Sequence, residues 1–340
     1  HIYPATHTTP DPMEINSFLA KMVVAGVTHC FMEVSSHGID QHRIGGLQFR
    51  GGVFTNLTHD HLDYHKTFES YRDTKKKFFD LLPETAFALT NNDDKNGAYM
   101  LQNCAAKKHS FALKNTAEFK AKIIEHDFSG MQLRIDSIET WVALVGDFNA
   151  SNVLAVYACT QILGQNIDQS LSALSAVEPV LGRFNVVSGG HPTRAIVDYA
   201  HTPDALQHVL ETINKIRTGN EILITVFGCG GGRDEAKRPM MGKIASILSD
   251  KVIFTSDNPR NEDPEKIIKQ IEAGVPAEHF KKYISISSRS QAIKTACQLA
   301  HKGDIILLAG KGHETYQDVK GERLVFDDTK ELKSHLQNKG

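Results

Sequence analysis

Beyond Thr193 the chain alternates short apolar runs with longer amphipathic stretches. In order these are RAIVDYA, a helix from Pro203, EILITVFG, a helix from about Pro239, KVIFTS, a helix from Asp263, YISIS, a helix to His301 and DIILLAG. Apolar runs bounded by turn residues and separated by helices are strands of a parallel sheet covered on both faces. The pattern predicts a doubly wound α/β sheet, a fold that holds ligands in the crevice outside the carboxyl ends of its strands.

The first half follows a looser version of the same rhythm. TTPDPMEINSFLAKMVVAG carries Asp11 as a cap, Pro12 at the first helical position and Gly26 as a stop, which predicts a helix of about four turns. THCFMEV and GGVFTNL read as strands that end in the polar loops SSHG and THDHLDYH. Further on, AFALTNND and a segment near Trp141 read as strands, and GDFNASNVLAVYACTQIL as a helix.

At 340 residues the chain exceeds the size at which single cores stop growing, so two domains are expected. The Pro- and Gly-containing stretch VEPVLGRFNVVSGGHPT marks the boundary, giving domains 1–181 and 182–340. A formal net charge of -2 gives no argument for nucleic acid or an anionic membrane as the main partner, and neither is expected. No apolar run approaches the ~20 residues of a membrane span and no secretory pattern is present, so a cytoplasmic location is expected. The 5 cysteines are scattered without a C-x-x-C pair and read as reduced thiols. The sequence begins at His1 rather than Met, which reads as a piece of a longer chain.

Two places in the first half carry chemistry. In TFESYRDTKKKFFDLL, at 100° per residue, Phe68, Tyr71, Phe78, Phe79 and Leu82 share one stripe, Lys75 falls in its middle, and Lys76 and Lys77 point away. A lysine on a buried face either snorkels or has its charge altered. Upstream, His59, Asp60, His61, Asp63 and His65 form a dense cluster. Its oxygens suit Mg²⁺ and its imidazoles suit zinc or iron; spacing leaves that choice open, beside the plain alternative of a polar capping loop.

In the second half FGCGGGRDEAKRP joins a strand to a helix. Its glycines allow close backbone approach to a ligand and the helix start attracts anions. It is not a dinucleotide fingerprint, and AGKGHETY lacks the spacing of a phosphate loop. Arg233, Lys237 and Arg238 add positive charge, and the next strand ends in SDNPRNEDP. Successive strand ends therefore bring Arg233, Arg260 and Glu314 toward one crevice, two cations and one anion, which suits an amino acid with a second acidic end.

Taken in order, TTPD, MEVSSHGIDQHR, VFTNLTHDHLDYH, the Y-x-x-x-K of Tyr71 to Lys75, GDFNASN, VDYAHTPDAL, FGCGGGRDEAKRPMMG, DNPR and AGKGHETYQ form a series. Over almost the whole chain it resembles that of the Mur ligases, and within them the members that add meso-diaminopimelate as the third residue of the peptidoglycan stem peptide. The resemblance implies an α/β fold: a Mur ligase central domain, mostly a parallel sheet flanked by helices, followed by a Rossmann-like doubly wound carboxyl-terminal domain. It implies that ATP phosphorylates the terminal carboxylate of a UDP-N-acetylmuramoyl dipeptide and that the amine of diaminopimelate attacks the acyl phosphate. It further implies a carbamylated Lys75 which, with Glu33 and His61, holds Mg²⁺. Thr8, Thr9, Ser35, Gln41 and Arg43 would meet the muramoyl dipeptide. Asn149, Asn152, Arg183 and Asp198 would meet ATP, with His201 catalytic beside them. Arg233, Asp257, Asn258, Pro259, Arg260, Gly310 and Glu314 would hold diaminopimelate, Arg260 reading the distal carboxylate that lysine lacks. His59 and His65 match no catalytic position. A cytoplasmic monomer acting in cell wall biogenesis, and so in cell shape and division, is expected.

The family pattern also includes an amino-terminal UDP-binding domain and a GTNGKT phosphate loop. Neither occurs in these residues, so the chain alone is expected to be inactive or nearly so. Gly232 and Asn185 stand where relatives commonly have an acid or amide and an acid. The alternative readings are an L-lysine-adding ligase of the same family, a non-catalytic relative lacking the phosphate loop, and a metal-dependent hydrolase built on the His59 to His65 cluster.

Overall fold

The computed structural model describes residues 3, 7–58, 60–187 and 193–337, the side chain of Asp63 excepted. His1, His59 and part of the boundary stretch, residues 188–192, lie outside the described residues. The chain forms two compact units, residues 1–122 with 151–170, and residues 123–150 with 171–340.

In the first unit Asp11 accepts the amides of Met13 and Glu14 and so starts α1 (Pro12–Val24), and Gly26 at φ 76 follows its end. Ser35 caps α2 (Ser36–Asp40) in the same way, through the amide of Gly38. β1 (Gly51–Phe54) leads through α3 (Leu62–His65) to α4 (Phe68–Asp80), then to β2 (Phe87–Asn91), α5 (Gly97–Met100), β3 (Lys107–Ala112) and β4 (Phe119–Asp127). β1 to β4 pair in chain order, all parallel. Phe54, Phe78, Phe79, Leu82, Ala88 and Met100 fill the core between α4, α5 and the strands.

THCFMEV departs from expectation. It forms no strand, and residues 28–31 are exposed. A strand needs a neighbour to take its amides and carbonyls, and no ladder reaches this segment among the described residues.

In the second unit β5 (Gly130–Ile135) and β6 (Ile138–Val142) form an antiparallel hairpin. Both turn residues, Asp136 and Ser137, have positive φ, which matches the right-handed twist of the pair. α6 (Asp147–Ile162), through which the division of the units passes, and α7 (Ile167–Ser175) follow. The rest is the expected alternation: β7 (Asn185–Val187), β8 (Arg194–Asp198), α8 (Pro203–Ile216), β9 (Leu223–Phe227), α9 (Lys237–Leu248), β10 (Lys251–Phe254), α10 (Pro264–Glu272), β11 (Tyr283–Ser285), α11 (Arg289–Leu299) and β12 (Ile305–Ala309). A small hairpin of β13 (Tyr316–Val319) and β14 (Glu322–Val325) precedes α12 (Asp328–Gln337).

The sheet runs β11-β10-β9-β12-β8-β7, parallel except for β7. Leu210, Met241 and Ile268 put α8, α9 and α10 in one core with the sheet, whereas Ala296 and Leu332 put α11 and α12 in the other. β9 and β12 are therefore neighbours whose following helices lie in different cores. That is a topological switch point, and the crevice of a doubly wound sheet opens there. No helix among the described residues is long and apolar enough to cross a membrane.

Candidate functional site

In the first unit the side chains expected to meet the muramoyl dipeptide converge around Thr9, which is fully buried. Its hydroxyl donates to the Glu33 carbonyl at 3.0 Å and accepts the Ser35 amide at 2.9 Å. Arg43 Nη1 donates to the Thr9 carbonyl at 2.8 Å, and its Nε and Nη2 donate to Gln41 Oε1 at 2.9 and 2.5 Å. Gly38 allows this closeness, because a Cβ there would come within 2.8 Å of the Thr9 side chain. Thr8 is exposed beside the cluster.

Lys75 is half-buried, its Nζ 5.5 Å from the centroid of the Tyr71 ring. Burial pulls its ammonium below the ordinary 10.5, and the carboxylates of Glu33 and Asp60 oppose this only in part. His61 takes a left-handed φ of 57, with Nε2 3.8 Å from Asp60 Oδ2 and its ring 5.7 Å from that of Tyr71. His65 is buried, sharing a hydrogen bond of 2.9 Å with Ser36 Oγ. Among the described residues no three His, Cys, Asp or Glu side chains come together as a metal site. Glu33 and His61 offer one carboxylate and one imidazole, too few donors for Mg²⁺ by themselves; a carbamate on Lys75 would add a second carboxylate.

Lys77 is exposed as expected, but Lys76 does not point away. It is 6% exposed, and its Nζ donates to both carboxylate oxygens of Asp80 at 2.5 and 2.8 Å. Tyr99 on α5 covers this flank of α4, stacked against Arg72 at 4.1 Å. The helix periodicity carries no trace of that cover.

In the second unit the crevice is built by the loops after β9, β10 and β12. Asn258 is buried and held at both ends of its amide: Oδ1 accepts Lys311 Nζ at 3.0 Å and the Asp318 amide at 2.9 Å, while Nδ2 donates to Glu314 Oε2 at 2.9 Å. Lys311, fully buried, also lies 3.2 Å from Glu314 Oε2. Arg260 Nη1 donates to the Gly231 carbonyl at 2.6 Å, and a Cβ on Gly230 would come within 3.0 Å of that nitrogen and 3.9 Å of Arg233 Cγ. A Cβ on Gly231 would overlap the Pro259 carbonyl oxygen. Gly310, at φ 111, lets Asp257 Oδ2 approach to 2.7 Å of where a Cβ would stand. Arg233 is exposed on the glycine loop. One guanidinium, one carboxylate and a row of backbone groups thus face the switch point, an arrangement able to grip a zwitterion with an additional carboxylate.

Arg238 corrects the expectation of a third free cation at this loop. It is fully buried, bonded to Glu262, Gln270 and the Gly230 carbonyl. Arg238 first, then the Gly232 amide, hold the Glu262 carboxyl below its usual range. Lys237 donates to the His201 carbonyl at 2.9 Å. Arg238 and Glu262 brace the loop from below and neutralise each other. Arg289, whose Nε and Nη2 meet Asp328 at 2.7 and 2.6 Å, is a second buried pair that the sequence reading missed. Both needed the fold, since the partners lie on different helices and loops.

Of the residues matched to the nucleotide, Asn149 donates to the Val145 carbonyl at 2.9 Å and Asn152 is exposed one turn along α6. Asp198 is buried, accepting the amides of Phe184 at 2.6 Å and Ala200 at 2.8 Å. Burial lifts its pKa even against those two bonds. Arg183 lies over the Tyr199 ring at 5.0 Å, and His201, exposed, has its ring 4.6 Å from the same tyrosine.

A doubly wound sheet with polar loops at the carboxyl ends of its strands, preceded by a parallel-sheet unit with a half-buried lysine, defines a protein of the multidomain α/β class. The sequence matches the profile of the Mur ligase middle domain over residues 1–160 and that of the Mur ligase glutamate ligase domain over residues 182–312. The chain belongs to the Mur ligase family. It is 54% identical over 99% of its length to a Cytophaga hutchinsonii protein named UDP-N-acetylmuramoyl-L-alanyl-D-glutamate--2,6-diaminopimelate ligase, of which it covers 69%. A Geobacillus kaustophilus protein of the same name is 40% identical, with 99% of this chain and 71% of that protein covered. A solved structure of that ligase overlays with a TM-score of 0.64 at 34% identity, covering 98% of this chain and 69% of the other. A Thermotoga maritima MurF ligase solved with ADP shares the fold, with a TM-score of 0.65 at 17% identity over 86% of this chain and 64% of that one.

Proposed function

We propose that the protein is an ATP-dependent ligase that adds meso-2,6-diaminopimelate to UDP-N-acetylmuramoyl-L-alanyl-D-glutamate during peptidoglycan precursor synthesis. The terminal carboxylate of the dipeptide attacks the γ-phosphorus of ATP and ADP leaves. The unprotonated amine of diaminopimelate then adds to the acyl carbon, and the tetrahedral adduct gives up one nitrogen proton to solvent and expels phosphate to leave the amide. Residues 1–181 and 182–340 act as the central and amino-acid-binding domains of a cytoplasmic monomer.

The chain's own groups divide this work. Thr9, Ser35, Gln41 and Arg43, joined by hydrogen bonds, offer a guanidinium and hydroxyls to the dipeptide carboxylate and amides, with Thr8 at the edge. Asn149, Asn152, Arg183 and Asp198 bind ATP, and His201 lies beside its phosphates. Addition of CO2 to the neutral Lys75 amine, with loss of a proton to solvent, would turn a group whose ammonium form is disfavoured by burial into a carbamate. Mg²⁺ held by Glu33, His61 and that carbamate would offset charge on the transferring phosphoryl group.

The observation that carries the amino-acid assignment is Arg260 on the Gly231 carbonyl, with Glu314 held by Asn258 in the same crevice. A guanidinium left without its carboxylate penalises lysine. Turnover of the intact protein with ATP, Mg²⁺ and the dipeptide should favour meso-diaminopimelate over L-lysine in kcat/KM by about a hundredfold or more. Equal values for the two amino acids would reject the assignment.

A further inference from the structure

Arg260 is an arginine in a left-handed backbone conformation, at φ 50. A residue with a Cβ holds that conformation only when its surroundings impose it. The surroundings here are the short strand β13 and the residue that follows it, Lys320. The Asp318 carbonyl accepts the Arg260 amide at 3.0 Å, and the Lys320 amide donates to the Arg260 carbonyl at 2.7 Å. Arg260 and Val319 form a parallel bridge. Upstream in the same loop the Asp318 amide holds Asn258 Oδ1, and Gln317 Nε2 donates to the Asp257 carbonyl at 2.6 Å and to Ser256 Oγ at 3.3 Å. From Ser256 to Arg260 the loop is thus laced to residues 317–320.

We propose that β13 is the device that aims Arg260, and that Gln317 is a positioning residue for recognition of the second carboxylate of the incoming amino acid. The inference rests on the role given to Arg260 above. Gln317 is suited to it because its amide reaches across to the loop backbone while touching neither Arg260 nor Glu314 in any bond described above. Its register is fixed by pairing with Leu324 on β14. Removing that amide unties the Asp257 carbonyl and Ser256 from β13, so that Arg260 is left held by its backbone bonds to Asp318 and Lys320 alone. The guanidinium is then aimed less closely at the Gly231 carbonyl. Affinity for the carboxylate falls, while the sites for ATP and dipeptide, built from other residues, stay as they were.

The test uses the intact protein and three Michaelis constants. Gln317→Ala should raise KM for diaminopimelate about fivefold to tenfold, the size of one lost hydrogen bond, and leave KM for ATP and dipeptide within about twofold. Preference for diaminopimelate over lysine should fall by the same factor. Gln317→Glu, which keeps the shape but meets the Asp257 carbonyl with a carboxylate, should behave like the alanine variant. An unchanged KM for diaminopimelate overturns the proposal. So does a parallel rise of all three constants with a lowered Tm, which is what a purely structural role gives. Arg260→Ala in the same assay separates the two levels. If it too leaves KM for diaminopimelate unchanged, the reading of Arg260 fails; if it raises KM while Gln317→Ala does not, only the role of Gln317 fails.

Discussion

Lys75 and Lys76 are adjacent in sequence and opposite in consequence. Lys76 has its partner in Asp80, so replacing it with Ala should cost about 1 to 2 kcal/mol of stability through the lost charge-assisted bond and leave turnover intact. Denaturant unfolding and a rate measurement side by side check this. Lys75→Ala should abolish turnover, with partial recovery on adding formate or acetate, which supply the oxygens of the carbamate; unaltered activity would remove Lys75 from the mechanism. The folded pKa of unmodified Lys75 lies below 10.5, so the unfolded chain binds more protons between those two values and stability rises with pH across that window. Lys75→Met should therefore raise Tm at neutral pH in carbonate-free buffer, and the gain should shrink as pH approaches 10.5. From sequence, Lys75 was legible as a misplaced charge because the stripe of Tyr71 and Phe78 is periodic. Lys76 was misread because its cover comes from α5, a separate element.

At the level of elements, the glycine loop between β9 and α9 depends on backbone closeness and on the Arg238–Glu262 brace. Gly231→Ala drives a methyl into the Pro259 carbonyl, and no side-chain rotation relieves a clash with backbone. The expected result is a KM for diaminopimelate raised more than tenfold with the ATP site spared, measured by titrating each substrate in turn. The brace adds a pH dependence. The folded pKa of Glu262 lies below the ordinary 4.5, so its contribution to stability is complete above that value and lost as pH falls through the folded one. Glu262→Gln should be less stable than the parent at neutral pH and show a shallower acid limb, a difference that unfolding midpoints between pH 3 and pH 6 resolve. The strands and helices of this sheet were legible because buried parallel strands are nearly continuous apolar runs. The brace was not, since Arg238 in the sequence looks like one more cation of a basic loop.

For the molecule as a whole, legibility followed local periodicity and stopped where partners are distant in sequence. The alternation from β8 to β12 declared itself, while the switch point emerged only with the strand order of the folded sheet. THCFMEV read as a strand from composition alone, although a strand is a property of a pair. The pair Arg289–Asp328 is the long-range counterpart: both side chains are fully buried, and they tie α12 to α11 and, through the Ala309 carbonyl, to the end of β12. Asp328→Asn would leave a buried guanidinium with half its charge balance, because the next carboxylate, Asp257, stands 4.0 Å away without a hydrogen bond. Breaking one partner of such a pair costs about 3 to 5 kcal/mol, far more than the pair itself contributes. Since the first unit has its own core around Phe54 and Met100, the loss should appear in one part of the chain. Native-state hydrogen exchange of Asp328→Asn should show protection falling in α11, α12 and β12 and unchanged in β1 to β3. A uniform loss across both groups would mean that the two units open as one cooperative body.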